Sequence, residues 1–144
     1  MTVTHDPYQL QRFLDAQDEG HIYERALSEL RAGRKTGHWM WFVFPQMAGL
    51  GRSPTAKAYA ISSLGEASAY AAHPVLGPRL LECTRALTDV EGATAGEILG
   101  AVDAMKLRSS MTLFARAAPH EPLFRQVLDR YFDGVADEAT EQRL

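Results

Sequence analysis

Apolar residues recur at steps of three and four along most of this chain, and a glycine or proline stops each run. A chain so patterned buries one face of each of several helices. Asp6-Pro7 reads as a cap and first helical position, after which Leu10, Phe13 and Leu14 share a face until Gly20. Ile22, Tyr23, Ala26, Leu27 and Leu30 form a second stripe ending at Gly33. Ser53-Pro54 starts a short helix through about Tyr59, Leu64 to Ala72 form another, and His73-Pro74 supplies a turn or cap. The helix that follows buries Leu76, Leu80, Cys83 and Leu87. Beyond Gly92 to Gly96, Ile98 and Leu99 lead into a helical pattern reaching Ala118, closed by Pro119, and Pro122 to Phe132 form a last helix.

The stretch from Gly33 to Ser53 differs, because Gly33, Gly37, Pro45, Gly49 and Gly51 leave room for only a short element. Periodicity does not say whether that element is helix, strand or loop. With 144 residues the chain is the size of one domain, able to bury roughly two-thirds of its unfolded surface. The expectation is an all-α, compact single domain over 1–144, a multihelical bundle of about six to eight helices with an irregular Gly/Pro-rich aromatic segment. The polar stretch 133–144 reads as a frayed tail.

Composition excludes several classes of function. A net charge of −3 argues against a general phosphate-backbone binder, and nucleic acid is not an expected partner. Arg31, Arg34 and Lys35 cluster, but at a helix end, where cations complement the dipole. The N-terminus lacks a basic segment followed by an apolar one, and no run approaches a membrane span, so a soluble cytoplasmic protein without a membrane partner is expected. Cys83 is the only cysteine and lies on an apolar stripe, as an inert thiol does. His5, His21, His38, His73 and His120 are dispersed, so neither a metal nor another cofactor is expected.

Three constellations could carry chemistry. His38-Trp39-Met40-Trp41-Phe42-Val43-Phe44-Pro45-Gln46 puts both tryptophans between polar ends, as pocket walls are built. Trp39, Trp41, Phe44 and Gln46 are the candidate ligand contacts there, with His38 as a group able to act near neutral pH. On the helix from Val102, about 100° per residue brings Asp103, Ser110 and Phe114 near one line, flanked by Leu107, Met111, Lys106 and Leu113. Arg108, Thr112 and Arg116 then face solvent. Asp103 and Lys106 form either a satisfied ion pair or, with Ser110, the polar floor of a pocket, where Asp103 would be a general acid or base and Lys106 an anion contact. Gly49-Leu50-Gly51-Arg52-Ser53-Pro54 is either a plain loop with a cap or an anion site that uses Arg52. No nucleophile elbow surrounds any serine, and Glu66 reads as an ordinary exposed first-turn glutamate.

The aromatic run, followed by Gly49-Leu50-Gly51-Arg52-Ser53, Tyr59-Ala60-Ile61, Glu66-Ala67, His73-Pro74-Val75-Leu76-Gly77 and the run from Asp103 to Phe114, resembles the bacterial domain-of-unknown-function family numbered 1810. The resemblance covers nearly the whole chain and implies a small multihelical fold, but assigns no activity to any residue. Members are sometimes labelled calpastatin-like. A calpastatin is a flexible inhibitor without a packed core, and this chain is patterned throughout for burial, so that label does not fit. The leading reading is a small-molecule-binding domain with a nucleotide or ADP-ribose type ligand, enzymatic or not. The alternative is a protein-interaction module or homodimer that uses the aromatic segment as its contact surface.

Overall fold

Asp6 turns the chain into its first helix in the computed structural model, which describes residues 5–144. Its carboxylate accepts hydrogen bonds from the Leu10 and Gln11 backbone N–H groups at 2.8 and 3.0 Å. Gln9, however, has φ 54°, which no right-handed helix accommodates, so α1 runs over Gln11–Asp18 and does not begin at Pro7. Met1–Thr4, the start of the segment read above as lacking a leader, lie outside the described residues. A 3₁₀ turn over Glu19–His21 leads to α2, Ile22–Arg31, and Gly33 at φ 76° ends it.

The middle of the aromatic block is helical and its ends are not. α3, Met40–Val43, is a single turn bounded by Trp39 and Phe44. Downstream, Met47 and Ile61 form an isolated parallel bridge in which Ala48 N–H donates to the Ile61 carbonyl and Ile61 N–H to the Gln46 carbonyl, both at 2.8 Å. The bridge closes the glycine-rich loop, within which the Ser53 hydroxyl accepts from Ala56 N–H at 3.1 Å and caps α4, Pro54–Ala58.

α5 spans Leu64–Ala72 and α6 spans Leu76–Asp89. Between them His73 is a cap, its Nδ1 accepting from the N–H groups of Val75 and Leu76 at 3.1 and 3.2 Å. Gly77 sits where the two helices are closest, and a Cβ there would lie 2.3 Å from the Ala71 carbonyl oxygen. Gly77→Ala is therefore expected to destabilise by about 2–3 kcal/mol, as overpacking does. Urea unfolding measures it, and a change within about 0.5 kcal/mol, the range of a neutral surface substitution, would contradict the tight approach.

α7, Ala95–Leu99, opens with a capping box made by Thr94 and Glu97. Gly100 at φ 88° breaks the pattern that spacing reads as continuous from Ile98, and α8, Ala101–Ala117, begins anew. α9 is Leu123–Phe132 and α10 is Glu138–Glu141. The all-α expectation holds, but the described residues form ten α-helical segments where six to eight were expected. Four of them have five residues or fewer, too short for periodicity to reveal.

α8 is the central element. It packs against α5, α7, α9 and α10, and every residue from Ser109 to Phe114 is buried. Its expected solvent face is covered by the segment read as a frayed tail. Arg108 donates to the carbonyls of Val135 and Ala136 at 2.8 and 3.0 Å, Thr112 Oγ1 accepts from Asp137 N–H at 2.8 Å, and Arg116 pairs with Glu141. Thr140 on α10 is wholly buried. The tail is polar because it docks through hydrogen bonds, a use of polar side chains that composition does not distinguish from solvation. No helix of the described residues is long and apolar enough to cross a membrane.

Candidate functional site

The segment leaving α2 is shaped by one carboxylate. Glu29, in the last turns of α2, accepts through Oε1 from the backbone N–H groups of Thr36 and Gly37 at 2.7 and 2.9 Å and from the Trp39 indole N–H at 3.0 Å. Partial burial pushes its pKa up, yet the two backbone donors and the indole outweigh that and hold it below the usual carboxylate range. Gly37 permits the wrap, since a Cβ there would lie 2.9 Å from Trp39 Cδ1. Spacing along α2 does not mark Glu29 as anything but a polar helix residue. The available signal was that a buried indole N–H demands an acceptor.

Lys35 is the second residue that spacing did not reveal. Its backbone N–H donates to the Ile98 carbonyl at 2.7 Å, which ties this segment to α7. Its side chain, only 7% exposed, places Nζ 2.8 Å from Asp103 Oδ2, within reach of the Gly37 carbonyl and 5.1 Å from the Trp39 ring centroid. The expected Asp103–Lys106 pair is present at 3.3 Å, but Lys35 is the nearer partner. Lys35 lies outside any helix, where no heptad or turn rule could have linked it to α8. Two ammonium groups thus share one carboxylate, leaving an excess of one positive charge.

Lys106 Nζ lies 4.8 Å from the centroid of Trp41, a cation–π contact joining α8 to α3. Around it Trp41, Gln46, Met47, Gly51, Tyr59 and Lys106 line a cleft whose cavity volume, about 10 Å³, accommodates one water. The structure therefore brings Trp41, Gln46 and Lys106 together, with Asp103 behind the lysine. It does not bring the remaining candidates there. Trp39, 1% exposed, and Phe44 are core residues with ring centroids 6.3 Å apart. On one helical turn, residues two apart point to different sides, so Trp39 and Trp41 could not both wall one cleft.

Ser110 is wholly buried and is the one buried side-chain polar atom without a hydrogen-bond partner among the described residues. It lines none of the clefts described here. Arg52 is exposed on the glycine loop and does not line the Trp41 cleft. His38, also exposed, lines a separate cleft on the Glu29 side. Burial pushes the Cys83 thiol up to about 12, which leaves it protonated and unreactive. Among the described residues, no three His, Cys, Asp or Glu side chains converge as a metal site would require.

The family described as "Protein of unknown function (DUF1810)" matches residues 7–144. The chain belongs to the DUF1810 family. A solved relative, the conserved hypothetical protein Rv1873 from Mycobacterium tuberculosis, is 52% identical over 96% of this chain and 98% of its own, with a TM-score of 0.94. Among curated proteins, none matches. The multihelical fold implied by the sequence motifs is thus the DUF1810 fold, while the family description names no activity.

In this DUF1810 chain the C-terminal segment also reaches the glycine loop. A Cβ at Gly49, where φ is 93°, would lie 2.9 Å from Arg143 Nε, so the guanidinium rests against that loop. Arg143 is a further cation that sequence spacing could not have joined to Gly49, because docking of the whole tail across α8 brings it there.

Proposed function

We propose that this chain is a small-molecule-binding domain whose site is the cleft between α3 and α8, which holds about one water as it stands and admits a ligand once Lys106 swings off the face of Trp41. Its ligand is a small anion that carries a flat unsaturated ring, of which a nucleotide or an ADP-ribose type molecule is the clearest instance. The observation that carries this reading is the positive charge left over when Lys35 and Lys106 share Asp103 beside the half-exposed face of Trp41. Lys35 is closer to Asp103 and more deeply buried, while Lys106 is farther and more exposed and so is the one free to move. When a ligand arrives, its anionic group draws Lys106 away and its ring takes the face of Trp41 that the ammonium had covered. Asp103, with an ammonium group near each oxygen, positions the lysines.

Thermal-shift measurements with AMP, ADP-ribose and inorganic phosphate test this. AMP or ADP-ribose at about 100 times its Kd should stabilise the fold by about 2.7 kcal/mol. Lys106→Ala and Trp41→Ala should abolish the shift, each read against the melting temperature of its own unliganded form, because Trp41 packs against the core and its loss lowers the baseline. A rise that persists in both variants, or no rise with any of the three compounds, would overturn the reading.

A second reading draws on Val102 and Met105, which are 67% and 73% exposed on α8 beside Lys106. Exposed apolar side chains next to a half-exposed tryptophan suit a contact with a second copy or another protein. That reading expects a dimer mass by light scattering, or a partner contact, that Met105→Asp removes.

A further inference from the structure

A second cleft, lined in part by Trp39, is larger than the Trp41 cleft. It has a cavity volume of about 410 Å³, within the range of small-ligand sites, and lies between the outer face of α2 and the segment at Thr36–Trp39. Glu29 and Arg25 both line it. At a spacing of four on one helix these two side chains would ordinarily pair with each other. Here they do not, because Glu29 is drawn toward the loop by the three N–H donors on its Oε1.

One free carboxylate oxygen and one unpaired cation result. Oε1 of Glu29 holds the three N–H donors and fixes the carboxylate, and the Thr36 hydroxyl stands near enough to help lower its pKa, while Oε2 accepts no hydrogen bond within 3.5 Å and forms no ion pair among the described residues. Arg25 is exposed, lines the same cleft, and likewise forms no ion pair or side-chain hydrogen bond among them. Ile22, one turn before Arg25, adds an apolar surface, and His38 adds an imidazole at the wall. A cleft that holds one fixed carboxylate, one guanidinium and an apolar patch is complementary to a molecule carrying an ammonium, a carboxylate and an aliphatic group together.

We propose that this cleft is a binding site for a free α-amino acid with an apolar side chain. The ammonium of the ligand donates to Glu29 Oε2, its carboxylate accepts from Arg25, and its side chain covers Ile22. Neither the Trp41 cleft nor Lys106 takes part, so this site stands whether or not the nucleotide reading does. Gly37 is needed in both respects, since a Cβ there would lie 3.3 Å from Glu29 Oε2 and would fill the approach to it.

A thermal-shift screen of the common L-α-amino acids at about 10 mM detects a Kd near 1 mM, and titration calorimetry follows with L-leucine, isoamylamine and isocaproate. The expected result is saturable binding of L-leucine, with the amine and the acid each at least roughly tenfold weaker because each satisfies only one of the two charges. Arg25→Ala should weaken L-leucine at least roughly tenfold while leaving the melting temperature of the free protein unchanged, because the side chain is exposed and unpaired. Glu29→Gln should also weaken it, and Lys106→Ala should not. No stabilisation by any amino acid, equal affinity for amine and amino acid, or undiminished binding to Arg25→Ala overturns the proposal.

Discussion

Trp39→Ala is expected to destabilise the protein by about 3–5 kcal/mol, the range for truncating a fully buried aromatic, and to lower the melting temperature by on the order of 10 °C or more. The size of the effect follows from what the indole joins. One edge donates to Glu29, which organises the loop from Thr36, the ring faces the Lys35 ammonium, and its rim meets Phe44. Removing it opens a cavity beneath α3 and frees one of the three donors that fix Glu29. Trp39→Phe separates the contributions, since it keeps most of the volume and loses the N–H. It should cost less than the alanine variant, with about 1 kcal/mol assigned to the lost hydrogen bond. Guanidinium unfolding of both variants is the measurement, and a loss below about 1 kcal/mol for Trp39→Ala would contradict the core assignment.

Glu66→Ala is expected to cost about 2–3 kcal/mol, because it removes a buried acceptor shared by the partly buried Arg12 and by Ser62 and leaves a void. Glu66 is 2% exposed, and its carboxylate accepts from Arg12 at 2.8 Å, from Ser62 N–H at 2.9 Å and from the Ser62 hydroxyl at 2.7 Å. Arg12 in turn donates to the carbonyls of Tyr8, Gln9, Ala58 and Ala60. One pair therefore fastens α1, the start of α5 and the strand-like segment between them. That segment carries Tyr59 and Ile61, so loosening it should reach the Trp41 cleft as well. Amide hydrogen exchange should show faster exchange at Ile61, whose N–H bonds the Gln46 carbonyl. Unchanged protection there, with stability near wild type, would mean that Arg12 is held well enough by its carbonyl acceptors alone.

These two residues stand at opposite ends of what could be read without coordinates. Trp39 belongs to the run that marked the site, and that marking had value, since α3 and α8 do meet, through Trp41 and Lys106. Trp39 itself is buried and lines the cleft on the Glu29 side, while Trp41 is the half-open member that lines the cleft against α8. Glu66 resembled an ordinary first-turn glutamate. Its burial depends on Arg12, more than fifty positions away, and a distant partner leaves no mark on local sequence.

Helix position was legible wherever the apolar stripe was long enough. Leu64–Ala72 falls where spacing and the following His73-Pro74 place it, and Ser53 and His73 cap as their residue types predict. Spacing identifies which residues share a face, because 3.6 residues per turn is a property of the backbone itself. It does not identify what will cover a face. Arg108 and Thr112 pattern as solvent-facing and are roofed by the tail, and Ser110 patterns as pocket floor and lies in the core. Coverage is a relation between segments far apart in the chain, which hydrophobic burial and polar satisfaction settle jointly across the whole molecule. Helical class, the caps and the candidate aromatic segment thus follow from neighbouring residues. The partnership of Lys35 with Asp103, the fixing of Glu29 and the placing of Trp41 and His38 in separate clefts arise only when α2, α3 and α8 pack.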